Sequence, residues 1–519
     1  MTDPTPAPAR PAARRRPITR LLSGLTGLAC VTMLAGCFNA AAVPAPGQGN
    51  DQRIALAMLQ PPRSGLTPLS DDAFKLSRWA TAETLVMLDP NGEALPGLAT
   101  EWKQTSATTW VFTIRQGVKF HDGTDLTPAQ VAASLTAATK ASPKPRILDG
   151  VTLTIAHDAT TVTITTAEPD PLVPQRLSSP QLVILAAKAY QGKAVSPVGT
   201  GTGPFELTAV NGTSGATLQR FDGYWGDKAV AAGIDVNFVP DGAARAAALR
   251  TGTAQVVEAV PVGQAASVDQ ALIHEVPMPR TNTLYLNTKK GPFADPAVRA
   301  AARAAIDRAR LVDTVYEGRA DIAEGLLGPA LPWMAAQRID AYKGLRDGHR
   351  AEPATLDKVK ITLGTFTDRA ELPEVAVLLE QQLEAVGFEV TQDVREYQYI
   401  EADALDGDFD AFILSRATVL DSGDPVAYLY SDFACEGSFN IAQFCDKEVD
   451  AALKAAAQAP AGDQRRAAIA KAEALILGND AAVPMLHERV IQGEAAGVTG
   501  VERDPRERAL ITARSSIGS

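Results

Sequence analysis

Between Trp110 and Leu135 the chain switches from a two-residue to a helical rhythm, and that switch limits it to folds mixing strands with helices. Trp110, Phe112 and Ile114 alternate with Val111, Thr113 and Arg115, the period of a strand with one buried face. His121-Asp122-Gly123 turns the chain, Asp-Gly being suited to a tight turn. Thr127 then predicts a helix N-cap, with Pro128 at the first helical position and Gln130 completing a capping box ahead of Val131 and Leu135. The second half repeats the mixture. Val359, Ile361 and Leu363 alternate, Leu372, Val375, Leu379, Leu383 and Val386 recur at helical spacing before Gly387, and strands follow at Phe388–Val390 and Phe409–Ile413. A strand-helix-strand unit of this kind predicts an α/β architecture. Runs at Val151–Ile155 and Val162–Ile164 predict a hairpin, and Asp450 to Ile476 an Ala-rich helical region.

The N-terminus reads as an export signal. Five arginines and one acid precede an apolar run from Leu21 to Gly36, diluted by Ser23, Thr26 and Thr32 and short of the roughly 20 apolar residues a membrane span needs. It ends in Leu34-Ala35-Gly36-Cys37, which looks like a bacterial lipobox whose cysteine takes the lipid. A twin-arginine signal would rest on Arg14 to Arg16 alone. Residues 38–50 are rich in Ala, Pro, Gly, Gln and Asn, a composition suited to a tether. Without residues 1–36 the formal net charge moves from −11 to −15, which argues against nucleic acid or anionic lipid as partner. Cys435 and Cys445, ten positions apart in an exported chain, read as a disulfide. The five histidines, His121, His157, His274, His349 and His487, include no i,i+4 pair, so no protein metal cage is expected. No GxSxG, SxxK, HExxH or GxxxxGK[ST] occurs, which disfavours a secreted hydrolase or a phosphate loop.

Several segments together resemble one protein family. Leu95 to Leu135 carries Pro96, Trp102, Trp110, Phe112, Ile114, Arg115, Gly117, Val118, Phe120, Asp122 and Gly123 at the places of a recurrent family pattern. Gly199-Thr200-Gly201-Thr202-Gly203-Pro204-Phe205, Tyr224-Trp225, the strand Thr283–Thr288, and Pro292-Phe293-Ala294-Asp295-Pro296-Ala297-Val298-Arg299 continue it. On these segments the chain is similar to the peptide/nickel class, family 5, of ABC-importer solute-binding proteins, closest to the dipeptide- and oligopeptide-binding lipoproteins. The resemblance covers nearly all of residues 54–490.

The resemblance implies a two-lobed periplasmic-binding-protein-like α/β fold, class II or cluster C, with an extra small subdomain. On it, 1–36 is the signal peptide, 37–50 a tether, 51–75 with 190–282 and 482–519 lobe I, 76–189 the small subdomain and 283–481 lobe II. It implies no catalysis and no cofactor, a monomer held by lipid on Cys37 at the outer face of the cell membrane, periplasmic if an outer membrane is present, and ABC-importer permease subunits as partners. The ligand implied is a short peptide. Asp421, two residues before Gly423-Asp424-Pro425, aligns with the acid that takes the peptide amine, although Arg416 stands where relatives often have Gly-Trp and two extra residues separate it from Asp421. Arg416 and Arg369 are candidate carboxylate partners, and Tyr285 and Tyr399 candidate pocket walls. Other solutes of the fold are heme, a metal-chelator complex, an opine or an oligosaccharide.

Overall fold

A computed structural model describes residues 52–70, 72–148, 150–419 and 422–518. The signal peptide, the tether, Cys37 and Asp421 lie outside the described residues.

Two strands far longer than the rest organise the molecule. Ile273–Leu286 and Ala482–Glu494 pair antiparallel at the centre of an eleven-stranded sheet. On one side of them Ala411–Ala417, Val359–Phe366 and Phe388–Arg395 follow in order. On the other side come Val256–Val257, Arg53–Met58, Gly233–Phe238, Gly215–Arg220 and Phe205–Asn211. The expected strand-helix-strand unit is present. Val359–Phe366 and Phe388–Arg395 run parallel, joined by the helix Glu371–Glu384, which buries Leu372, Val375, Leu379 and Leu383. The β-branched and aromatic residues of these strands face helices, as a parallel pair requires.

Four hydrophobic clusters fill the described chain. The largest joins Leu284–Leu286 to the helices and strands between Phe293 and Leu486. A second collects Ile54, Leu56, Trp79, Phe205, Leu218 and Ile234, and a smaller one joins Ala57, Leu249 and Ile491. The fourth runs from Leu85 to Ala186 beneath a four-stranded antiparallel sheet, with Phe112, Ile114, Val131, Leu135, Val162 and Ile164 at its centre. The hairpin expected near 151–164 is two of its strands, Leu153–His157 and Thr161–Thr166. The capping box forms on Pro128–Lys140, Thr127 Oγ1 accepting from the Gln130 amide. The Ala-rich stretch is two helices, Lys447–Gln458 and Asp463–Gly478, because Pro460 cannot continue the first and Gly462, at φ 101°, turns the chain into the second. Cys435 and Cys445 form a disulfide, S–S 2.09 Å. Among the described residues no helix is long and apolar enough to cross a membrane.

The polar motifs around residues 115, 202 and 224 serve one purpose. The Glu83 carboxylate accepts from Thr202 Oγ1 at 2.7 Å, Tyr224 OH at 2.9 Å and Trp225 Nε1 at 2.9 Å. The Arg115 guanidinium lies 4.3 Å above the Trp225 ring, and His121 Nε2 donates to Gly203 O at 2.9 Å. Gly201 and Gly203 are pressed so closely on Thr81 and Ala80 that a Cβ at either would overlap a carbonyl oxygen, which leaves room only for glycine. Segments more than a hundred residues apart are thus tied to one partly buried acid.

Burial raises the Glu83 pKa and the three hydrogen bonds oppose it only in part. A carboxyl raised in the folded state holds its proton longer than in the unfolded chain, so stability falls as pH climbs from the ordinary Glu value through the raised one. Glu83→Ala, which leaves the buried Thr202 hydroxyl and the half-buried Tyr224 and Trp225 donors without this acceptor, is expected to lower the unfolding free energy by roughly 1–3 kcal/mol. Glu83→Gln is expected to fold and to lose that pH dependence, so that denaturant titrations at pH 5 and pH 7.5 differ less than for the wild type.

Candidate functional site

The two long strands do not pair evenly. Up to Pro277 opposite Arg489 the ladder is regular; it resumes at Thr281 opposite His487, so Met278, Pro279 and Arg280 of one strand are set against Glu488 of the other. Pro277 borders this break and Pro279 lies in it, and neither can donate to a ladder, which explains why pairing stops there. Below the break the second long strand pairs with Val256–Val257, which Arg53–Met58 joins on its other edge, and above it the first pairs with Ala411–Ala417. Thr281 and Asn282 secure the upper side. Thr281 Oγ1 donates to Leu326 O at 2.7 Å and lies 2.9 Å from His487 Nδ1, and Asn282 Nδ2 donates to Tyr316 OH at 3.2 Å. Burial, helped by Arg338, lowers the His487 pKa to about 3, so this ring is neutral and structural.

Three arginines converge beside the break. Arg280 closes it, opposite Ala417; Arg416 lies on the next strand, opposite Thr281; Arg369 follows Val359–Phe366 in the turn leading to Glu371–Glu384. Their side chains are 26%, 28% and 29% exposed. Burial nevertheless opposes the charge on all three, strongly enough to lower the Arg280 pKa, with Arg369 and Arg416 adding to the effect against Glu507 and Glu488. Partly open and yet desolvated, these guanidinium groups form one cationic cluster, the floor of the candidate site.

Two of the three are already satisfied. Arg369 Nη1 donates to Glu488 Oε2 at 2.7 Å and Ser415 Oγ at 2.6 Å. Arg416 meets Asp432 bidentately, Nε to Oδ2 and Nη2 to Oδ1, both at 2.9 Å, with its guanidinium carbon 4.2 Å from the centre of the Phe439 ring. Asp432 is fully buried and receives Ser431 Oγ at 2.6 Å and Tyr285 OH at 3.3 Å. Burial works against the Arg416 cation, and the Asp432 carboxylate outweighs it, holding the pKa above the ordinary arginine value. Among the described residues Arg280 has only Glu507, whose Oε1 stands 4.0 Å from Nε.

The residues singled out from sequence therefore take different places. Arg416 and Arg369 lie together on the floor, each bound to an acid that sequence reasoning missed. Tyr285 is buried behind them, stacked on Phe433, and orients Asp432. Tyr399 is 65% exposed on the helix Tyr397–Leu405. Arg280 was also missed, although the paired prolines before it mark a strand interruption. Among the described residues no group of three or more His, Cys, Asp or Glu side chains is placed to hold a metal ion.

The turn between Val86–Leu88 and Ala94–Pro96 meets the segment that contains Gly423. A Cβ on Gly92 would stand 3.1 Å from Gly423 O, and Arg466 Nη2 donates to Glu93 Oε1 at 2.6 Å. Arg506 Nη2 holds the same turn through Asp89 O at 2.6 Å. Asp424 of the Gly-Asp-Pro motif receives Arg465 at 2.6 and 3.0 Å and caps Val426 N at 3.0 Å, which fixes the far end of the segment following residue 421.

Comparison with known proteins matches this architecture. The glutathione-binding protein GsiB of Salmonella paratyphi A is 26% identical over 409 residues, covering 76% of this chain and 80% of that one. NikA from Brucella suis, solved in complex with Fe(III)-EDTA, superposes with a TM-score of 0.78 at 21% identity, over 90% of this chain and all of NikA. A dipeptide-binding protein from Pseudoalteromonas sp. SM9913, in complex with Met-Leu, gives a TM-score of 0.70 at 18% identity, over 90% and 100%. These two share the two-lobed fold. The profile of the bacterial extracellular solute-binding proteins, family 5, matches residues 93–440. The chain belongs to that family, as the substrate-binding protein of an ABC importer.

Proposed function

We propose that this protein captures a short peptide between its two lobes and delivers it to membrane permease subunits, acting as a monomer tethered through lipid on Cys37 at the outer face of the cell membrane. The observation that carries the reading is the cluster of three arginines at the break between the long strands. A peptide brings an ammonium and a carboxylate out of water together, and each needs an opposite charge because an unpaired buried ion costs several kcal/mol. The arginine-lined floor serves the carboxylate, with Asp421 as the amine partner. Similarity to GsiB, which is named for a tripeptide, favours the same class. Lobe I comprises 51–75, 190–282 and 482–519, the small subdomain 76–189 and lobe II 283–481, a division supported by the separate hydrophobic clusters.

The ligand acts by differential binding. Contacts to both lobes exist only in the closed arrangement, so the bound solute shifts the population toward it. The contact of Glu93 with Arg466 reaches from the small subdomain to the helix Asp463–Gly478 of lobe II and favours the same arrangement. A second reading, an anionic metal-chelator complex, draws on the same arginines.

Three outcomes test this. Native mass spectrometry of the protein as exported is expected to show a ladder of masses added by two- to five-residue peptides; a single non-peptide mass would replace the peptide with another solute. Asp421→Ala is expected to weaken peptide binding at least tenfold, measured by calorimetry, with an unchanged melting temperature; wild-type affinity for every peptide found would remove Asp421 as amine partner. Glu93→Ala is expected to weaken binding about two- to fivefold, a difference that shrinks at 1 M salt because the pair is partly exposed.

A further inference from the structure

We propose that Arg280 is the anion receptor of this arginine cluster: its guanidinium takes a carboxylate of the bound solute and selects for ligands that carry one. The inference rests on the cluster being the ligand site, and goes beyond it by naming one arginine of the three.

The floor holds three guanidinium groups and three carboxylates, but they are not evenly matched. Glu488 is committed to Arg369 through a 2.7 Å hydrogen bond, and Asp432 to Arg416 through two of 2.9 Å. Neither arginine can turn to a ligand without stranding a buried acid. Asp432 is fully buried and Glu488 8% exposed, so the loss would be large. Arg280 is bound by no such commitment. Among the described residues its Nε has no hydrogen-bond acceptor, and the nearest carboxylate oxygen, Glu507 Oε1, is 4.0 Å away and itself without a hydrogen-bonding partner. At that distance Glu507 holds the guanidinium in place by charge while leaving its fork unoccupied.

The surroundings favour an incoming anion. Arg280 is a permanent cation in a desolvated position with two further cations beside it, so the local field is relieved by negative charge. Its side chain is 26% exposed, which leaves the fork within reach of a solute. A planar carboxylate can accept both parallel N–H groups, the geometry that an arginine offers and a lysine does not. Arg280 also ends the strand break, between the two parts of the sheet. A group bound there touches the segment that any movement of the lobes must bend.

The experiment compares Ala-Ala-Ala with its C-terminal amide, and succinate with succinamide, by calorimetry on the wild type, Arg280→Gln and Arg280→Lys, with melting temperatures as a folding control. The wild type is expected to bind an acid about tenfold or more tightly than the matching amide. In Arg280→Gln the ratio is expected to fall to about one with affinity for the amide retained, and Arg280→Lys, which keeps the charge without the fork, is expected to fall between. If Arg280→Gln does not fold, the lysine variant alone decides. A full acid preference surviving in a folded variant, or no acid preference in the wild type, overturns the assignment. If the tripeptides fail to bind while succinate binds in an Arg280-dependent manner, the peptide reading falls and the receptor stands; binding of acid and amide tripeptides alike keeps the peptide and removes the receptor.

Discussion

Everything in this fold hangs on the antiparallel pairing of Ile273–Leu286 with Ala482–Glu494. These strands join the two parts of the great sheet, and their register break at Pro277–Arg280 is the one place along them where the ladder is interrupted by several residues. A packed core resists continuous deformation, and a break in a ladder is where backbone angles change at least cost. On the proposed function, motion between the lobes is channelled to this break, where the arginine cluster also lies, so that hinge and ligand floor are one piece of structure.

The electrostatics of the floor follow from that placement. Three arginines brought together in a desolvated position repel one another, and the chain answers with acids drawn from distant segments: Glu488 from the second long strand, Asp432 from the helix Val426–Phe433, and Glu507 from the C-terminal region. Asp432 is held in turn by Ser431 and by Tyr285, a tyrosine of the first long strand. The strands thus fix the orientation of the charged groups as well as the position of the lobes. On the proposed function, a site prepared in this way gives up little order on binding, which favours affinity for a small solute.

Local features of the sequence carried over into structure where the cause was local. The capping box at Thr127, the alternation at Val359–Leu363 and the turn chemistry around Gly387 depend on neighbours within a few residues, and each produced the element expected. The family resemblance supplied the two lobes, which no periodicity could. What sequence did not disclose was pairing over distance. Arg369 and Glu488 are 119 positions apart, and nothing near either residue announces the other. Tyr285 looked like a pocket wall and is a core residue whose hydroxyl serves a buried acid. Glu83 carried no signal at all, because its importance lies in gathering Thr202, Tyr224 and Trp225 from later in the chain.

The central claim is that the lobes close on a solute by bending at the strand break. It is tested most directly by double electron–electron resonance between spin labels at Asn91, exposed in the turn of the small subdomain, and Asp463, 95% exposed beside Arg466. The account predicts a broad, longer distance distribution without ligand that collapses to a single shorter distance when the ligand identified by mass spectrometry is added. An unchanged distribution at saturating ligand would contradict it.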